Sequence, residues 1–187
     1  MSIQDYLPFW PKLTPTQRET LSQNSAVRRV KKGTVIHNGS EDCTGLLVVT
    51  EGQLRVYILS DEGKEITLYR LLSRDICLFS ASCMLQSIQF DISIEAEQDS
   101  AFYLIPTKIY HRLMQESAPV ANYTNELISA RFSDVMWLMD QILYKRLDSR
   151  LAAFLLEESS LSGTTELKIT HDTIAPHLGS AREVVTR

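Results

Sequence analysis

The stretch that decides the fold is residues 170–187, which read THDTIAPHLGSAREVVTR. Thr170 is a good helix-capping residue, and the apolar residues behind it recur at helical spacing. Ala175 is small enough for a second helix to cross closely over it. Gly179, four residues later, supplies the backbone freedom of a sharp turn, and Ser180 is placed to cap the helix that follows. This spacing predicts a helix-turn-helix.

The second helix of this motif begins with side chains that suit the edges of DNA bases. Arg182 can donate a forked pair of hydrogen bonds to guanine, and Glu183 can accept one from cytosine. Arg187 lies at the side of that face, within reach of a base or a phosphate. The competing interpretation is that these are solvated charges on a surface helix. Residues 146–187 carry five basic and six acidic side chains, so we expect weak non-specific binding and reliance on base contacts.

A long helix is predicted ahead of the motif, because residues 107–145 contain no glycine and a single proline. Its apolar residues step by four and three, which predicts either an ordinary core helix or the seam of a dimer. Residues 148–158 read as a further helix capped by Asp148, and residues 167–169 as a short strand. The predicted seam consists of Ile128, Phe132, Val135, Met139 and Ile142.

The first half of the chain has the pattern of antiparallel strands. Turn signals recur about every ten residues between Val27 and Ile105, which suits a sandwich or barrel. Before it, Thr14, Pro15 and Gln17 form the signature of a capping box, and a short helix to about Ser22 is expected.

Composition limits the class of protein. The 187 residues have a net charge of −4, from 19 basic and 23 acidic side chains, which excludes a polybasic nucleic-acid binder but not a local basic face. No apolar run approaches the ~18 residues of a membrane helix, and the start lacks the features of a signal peptide. Three cysteines (Cys43, Cys77, Cys83) form no disulfide framework. We therefore expect a cytoplasmic protein with no membrane partner.

Taken together, the chain resembles the Crp/Fnr transcription regulators. The resemblance spans essentially all 187 residues and is strongest in RLAAFLL at 150–156, IT at 169–170 and GSAREVVTR at 179–187. It implies an α+β protein with an effector-sensing, cyclic-nucleotide-binding-like jelly-roll barrel of antiparallel strands, a long dimerisation helix and a winged helix-turn-helix. The corresponding segments are residues 1–105, 106–146 and 147–187.

The resemblance also implies partners and roles. A homodimer would read a palindromic operator in double-stranded DNA, with RNA polymerase as a further partner if it activates transcription. Carried over by position, Arg182, Glu183 and Arg187 match base-reading residues and Thr170 a phosphate contact, and we group Ser180 with these DNA-binding residues. Ala181 and Pro176 depart from the family pattern. By the same comparison the chain stops within the recognition helix, so the motif is incomplete and shortened at its C-terminus.

The sensor lacks the residues that hold a cyclic nucleotide. Members that bind one carry a Gly-Glu pair followed about ten residues later by an arginine, and residues 74–87, RDICLFSASCMLQS, have neither. The resemblance therefore implies an unknown small-molecule effector other than cyclic AMP. The candidate pocket comprises Cys77, Phe79, Ser80, Ser82 and Cys83 with Tyr123, Leu127 and Arg131 of the long helix.

Other sensors remain as alternatives. An iron–sulfur sensor would need four thiolates, and the chain has three. Cys77 and Cys83 could form a redox couple, or could be buried core thiols. His37 and His111 could ligate haem, but both are expected at the surface.

Two different function classes compete with a regulator. A cupin-like, metal-dependent enzyme would need clustered histidine and glutamate ligands in the barrel, where His37 is the one histidine, so we assign no catalytic and no metal residues. A cyclic-nucleotide-binding module without DNA binding would carry the Gly-Glu and arginine cassette and no helix-turn-helix. The sequence lacks that cassette and has the pattern of a helix-turn-helix.

Overall fold

The computed structural model of the chain describes residues 2–39, 44–78, 80 and 91–186. Two compact units make up the fold. The first comprises Met1–Val56 and Arg70–Phe132, and the second Tyr57–Tyr69 and Ser133–Arg187. The chain is of the α+β class, as the sequence predicts. The division into three segments at 105/106 and 146/147 stays a prediction.

The first unit opens with two short 3-10 turns and helix α1 (Pro15–Asn24). The side chain of Thr14 accepts a hydrogen bond from the backbone N of Gln17 at 3.3 Å, and Oε1 of Gln17 accepts from the N of Thr14 at 3.0 Å. The expected capping box is confirmed, and the helix runs two residues beyond the predicted end.

Antiparallel pairing in the strand region is also confirmed. One sheet has the order β1-β8-β3-β6 and the other β2-β7-β4-β5. In the first sheet β8 pairs with both β1 and β3, so that Tyr103 lies opposite Val27 on one side and Val48 on the other. The strands are β1 (Ala26–Val30), β2 (Val35–Asn38), β3 (Leu46–Glu51), β4 (Leu54–Leu59), β5 (Glu65–Leu71), β6 (Ile76–Cys77), β7 (Ser93–Ala96) and β8 (Ser100–Ile105).

An apolar cluster joins this sheet to the helices of the first unit. Helix α2 (Thr107–Glu116) and the first part of α3 (Ala118–Tyr144) supply Tyr110, Leu113 and Val120 to it. Tyr110 is fully buried, and its hydroxyl lies 2.8 Å from Oγ1 of Thr124. Because the Thr124 hydroxyl donates to the carbonyl of Val120, Tyr110 is the donor in the first bond. The polar end of the tyrosine is thus satisfied inside the core.

A largely buried ion pair lies elsewhere in the first unit. Nε of Arg70 is 2.8 Å from Oε2 of Glu97, and the two side chains are 8% and 17% exposed. The same oxygen accepts a hydrogen bond of 2.6 Å from Nε2 of Gln53. Buried charges persist where they are paired and hydrogen-bonded, and this pair meets both conditions.

The second unit contains the end of α3 and helix α4 (Leu147–Ser162), and the predicted cap of α4 is wrong. Arg146 occupies the N-cap position with extended backbone, and Asp148 lies inside the first turn. The carboxylate of Asp148 accepts from the N of Ser149 at 2.8 Å and pairs with Nη2 of Arg146 at 3.2 Å. An acidic residue in the first turn still suits the positive end of the helix dipole.

The predicted strand at residues 167–169 is also wrong. Residues 164–170 follow the left-handed end of α4 at Gly163 and adopt no regular structure. They lead into helices α5 (His171–His177) and α6 (Arg182–Thr186), which form the expected pair of helices.

Candidate nucleic-acid interface

Helix α5 begins where the sequence places it. The side chain of Thr170 accepts from the backbone N of Thr173 at 3.2 Å, which satisfies one of the donors that a helix start leaves open. Pro176 lies in the last turn and cannot donate to the carbonyl of Asp172 four residues earlier. The helix nevertheless continues to His177.

The turn after α5 has the geometry of a Schellman motif. The backbone N of Ser180 donates to the carbonyl of Ala175 at 3.0 Å, and that of Gly179 to the carbonyl of Pro176 at 3.3 Å. Gly179 is left-handed, with φ of +57°. A guanidinium nitrogen of Arg150 in α4 donates to the carbonyl of Leu178, and partial burial lowers the pKa of this arginine. The turn is therefore fixed from α4 as well as from within.

A small apolar core supports the two helices. The buried members come from α4, α5, the turn and α6, and Val185 is the one from α6, while Val184 is 48% exposed. Ala175 is 5% exposed and allows the helices to approach closely, as expected. The cluster comprises Phe154, Ile174, Ala175, Leu178 and Val185, with Leu147, Leu151, Leu155 and Ile169 packed against it.

The first residues of α6 point away from this core. Arg182 and Glu183 are both exposed. Helix α6 starts at Arg182, and the carbonyl of Ala181 accepts from the N atoms of two residues in its first turn. Ala181 therefore holds the cap position that the sequence assigned to Ser180, and this prediction is wrong by one residue. Arg187 lies outside the described residues.

The sequence patterns do not predict two polar contacts between α5 and α6. Nε of Arg182 lies 3.4 Å from Oδ1 of Asp172, and Nδ1 of His171 lies 3.0 Å from Oγ1 of Thr186. Each joins residues from opposite sides of the turn. The only signal in the sequence is that Asp172 lies ten positions before Arg182, which becomes informative once the turn is assumed.

The candidate effector residues fall in different surroundings. Cys77 and Ser80 are buried, and the Ser80 hydroxyl lies within hydrogen-bond distance of the carbonyls of Gly45 (2.6 Å) and Cys77 (3.1 Å). The Ser80 hydroxyl therefore has two partners in the protein backbone. The other residues assigned to this strand region, Phe79, Ser82 and Cys83, lie outside the described residues.

The helix side of the predicted pocket packs on the core of the first unit. Tyr123 and Leu127 lie against the apolar cluster that contains Ile76 and Leu78, the neighbours of Cys77. Burial raises the pKa of Tyr123, Asp75 raises it further and Arg131 opposes the rise. Tyr123 and Arg131 thus share one local environment.

The five predicted seam residues differ in exposure. Ile128 is half-buried and packs against the core of the first unit, and Val135 is half-buried. The other three are exposed to solvent: Phe132 is 66%, Met139 46% and Ile142 41% exposed. Exposed apolar side chains in such a row on one helix are unusual for a surface that meets only water.

His37 corrects a sequence expectation. It is 2% exposed on strand β2, and its Nδ1 lies 3.1 Å from Oγ1 of Thr44, so it is a core histidine and not a surface one. His111 is exposed on α2, as predicted. Among the described residues, no group of three or more potential metal ligands is assembled. In the same part of the chain, no helix is long and apolar enough to cross a membrane.

Comparisons with known proteins agree with this architecture. Residues 27–117 match the family of cyclic nucleotide-binding domains. A crystal structure of a crp/fnr-family protein from Eubacterium rectale is 62% identical, covers 98% of this chain and 85% of its own, and superposes with a TM-score of 0.95.

Two more distant relatives also match. The c-di-GMP responsive global regulator CLP of Xanthomonas campestris has a TM-score of 0.76 at 17% identity, over 93% of this chain and 89% of its own. The global nitrogen regulator of Synechococcus elongatus is 23% identical over 170 residues, which is 86% of this chain and 76% of that protein.

The fold and site thus define a protein that joins a cyclic-nucleotide-binding-like domain to a helix-turn-helix. The match at 62% identity assigns it further: the chain belongs to the Crp/Fnr family of transcriptional regulators, as its sequence predicts.

Proposed function

We propose that this chain acts as a dimeric, DNA-binding transcription regulator in which an effector signal received by the strand region controls operator binding. The observation that carries the proposal is the exposure of Arg182 and Glu183 at the start of α6, directly after a turn fixed by Gly179 and Arg150. A recognition helix reads bases with its N-terminal side chains, and these two have complementary chemistry for a G·C pair.

The remaining DNA contacts follow from the same helix pair. Thr170 and Ser180 flank the helices and would contact phosphates, and Arg187 would reach a base or phosphate further along the groove. Because the segment has low net charge, base contacts would contribute more to affinity than counterion release.

Dimerisation is supported by the open apolar row on α3. Phe132, Met139 and Ile142 would be covered by the same row of a second copy, with Val135 and Ile128 continuing the seam. Two recognition helices would then face one side of a duplex about 34–36 Å apart, and a palindromic operator matches that symmetry.

For the effector, we propose a small organic molecule and not a cyclic nucleotide. The match to the cyclic nucleotide-binding domain concerns the fold, whereas residues 74–87 lack the glutamate and arginine that would hold a ribose and a cyclic phosphate. Cys77, Ser80, Tyr123, Leu127 and Arg131 are the described residues of the candidate pocket. Binding would favour one packing of the dimer and so shift the population that can bind an operator.

The proposal includes three further elements. The chain has no enzymatic role, it acts in the cytoplasm, and it contacts RNA polymerase if it activates transcription. The similarity to a transcriptional regulator of the crp/fnr family supports the absence of an enzymatic role. The division into residues 1–105, 106–146 and 147–187 assigns sensing, dimerisation and DNA reading to successive segments.

The test is selection of an operator from a pool of random duplexes, followed by fluorescence-anisotropy titration with Arg182→Ala in the full-length protein. The variant should lose about 1–3 kcal/mol of binding free energy at one base position in each half-site. Lys108→Ala removes the same charge from an exposed site on α2 and serves as the control. Equal operator affinity and base preference in Arg182→Ala and the wild type would refute the reading role.

A further inference from the structure

The ion pair between Arg182 and Asp172 places a carboxylate beside the arginine proposed to read DNA. Nε of Arg182 is 3.4 Å from Oδ1 of Asp172, and the two side chains are 63% and 65% exposed. Asp172 is the second residue of α5 and Arg182 the first of α6, so the pair spans the turn. A second contact, from His171 to Thr186, joins the same two helices. The two helices are therefore in polar contact at two points.

This ion pair contributes little to the stability of the fold. An ion pair this exposed is screened by water and contributes little to stability. The helices are already joined by the apolar core around Val185 and by the Schellman turn at Gly179.

The contact does restrict the arginine. A free arginine on a surface samples many rotamers. The conformational entropy lost when it is ordered opposes binding. The planar guanidinium has Nε on one edge and two terminal amino groups beyond it. A carboxylate that engages Nε leaves those terminal groups as donors for the O6 and N7 acceptors of guanine.

The charge of Asp172 acts in a second way. A carboxylate at the DNA-facing side repels phosphates and weakens binding that depends on charge alone. Specific binding would keep the benefit of an ordered arginine, whereas non-specific binding would retain only the repulsion. Discrimination between sequences rises through both effects.

We infer that Asp172 is a positioning residue that sets base specificity by holding Arg182 for guanine and by disfavouring non-specific contact with phosphates. The inference rests on the proposed function and identifies the residue that controls how well the proposed reader discriminates.

The experiment compares Asp172→Asn with the wild-type full-length protein. The probes are the duplex selected from the random pool and a duplex in which adenine replaces the guanine whose contribution Arg182→Ala abolishes. The wild type should prefer guanine by roughly tenfold to a hundredfold. Asp172→Asn should reduce that ratio by about threefold or more, and should bind an unrelated duplex at least as tightly as the wild type.

Matched variants separate positioning from charge. Asp148→Asn makes the same charge change in the exposed pair with Arg146 and should leave the ratio unchanged. Asp172→Glu, which restores the carboxylate, should recover much of the ratio. In an Arg182→Ala background, Asp172→Asn should have no further effect on it.

The failures are distinguishable. If the wild type prefers no sequence at all, both the proposed function and this inference are overturned. If the wild type discriminates through Arg182 but Asp172→Asn keeps the full ratio, or lowers it equally without Arg182, the inference alone is overturned.

Discussion

Oγ1 of Thr67 in strand β5 lies 2.9 Å from Nδ1 of His177 at the end of α5. The imidazole of His177 also stacks on Phe154 of α4, with ring centroids 5.1 Å apart. Beside Thr67, the side chain of Ile66 covers Gly179. Residues 57–69, which the sequence assigns to the sensing segment, therefore pack in one compact unit with the turn of the helix-turn-helix. Two contacts thus link residues 57–69 to the helix pair, one from Thr67 to His177 of α5 and one from Ile66 to Gly179 in the turn.

Gly179→Ala should destabilise the second unit. The residue has φ of +57°, and a Cβ there would lie 2.6 Å from Cδ1 of Ile66. Left-handed backbone costs a non-glycine residue about 1–2 kcal/mol, and displacement of Ile66 adds to it. The total loss should exceed about 2 kcal/mol, measured by thermal unfolding followed by circular dichroism.

Gly163→Ala is the matched control for this variant. Gly163 is left-handed too, with φ of +66°, but a Cβ there would meet nothing within 4 Å. It should therefore report backbone strain alone and lose less stability than Gly179→Ala. Equal losses would show that Ile66 yields without cost.

Met139→Lys should convert the protein to monomers. Met139 is 46% exposed in the apolar row of α3, where a lysine would place a charge in the proposed seam of each copy. Static light scattering would give the mass, and operator affinity should fall with it. Ser133→Lys adds the same charge to the same helix, ~120° away from Met139, and should leave the dimer intact. A dimer that survives Met139→Lys places the seam elsewhere.

Local patterns in the sequence predicted local structure well. The capping box at Thr14 and Gln17 and the left-handed turn at Gly179 depend on neighbours within a few residues, and both are seen. The row from Ile128 to Ile142 predicted one continuous helix for the same reason. The choice between neighbouring caps is harder to predict from the sequence: Asp148 was the predicted cap of α4, whereas Arg146 occupies the N-cap position.

Contacts between distant residues were not predictable in this way. Thr67 and His177 are 110 positions apart, and nothing in either neighbourhood indicates the other. The burial of His37 depends on a strand and on Thr44, whose hydroxyl offers a partner inside the protein. The contact of Arg182 with Asp172 follows only from how tightly the turn folds. Sequence patterns thus predicted the two helices and their turn but not the polar contacts between them.

Glu97→Gln should weaken the first unit substantially. Glu97 pairs with Arg70, and the two side chains are 17% and 8% exposed, so the variant removes a negative charge that lies close to a largely buried guanidinium. Removing one member of a buried pair costs about 3–5 kcal/mol, which urea unfolding would measure. Glu51→Gln, in the exposed pair with Arg29, should cost less than about 1 kcal/mol. Similar losses of unfolding free energy in both variants would show that burial does not strengthen the ion pair of Arg70 with Glu97.

Tyr110→Phe should remove a specific part of the protein's sensitivity to alkali. Burial raises the pKa of Tyr110 to about 12. The unfolded chain, with a tyrosine pKa of about 10, loses this proton first, so the wild type loses stability as the pH rises from about 10 to 12. Below pH 10 the proton stays on in both states and the contribution is intact.

The size of this effect follows from the two pKa values. At about pH 11 the wild type should have lost about 1.4 kcal/mol more than Tyr110→Phe, each relative to its own stability at about pH 8. Urea unfolding at the two pH values gives the comparison, and the other titrating groups cancel because both proteins contain them. Since the phenylalanine ring fills the same space, a difference that appears only at high pH reports ionisation and not packing. Parallel losses in the two proteins would mean that the hydroxyl of Tyr110 ionises as readily in the folded core as in the unfolded chain.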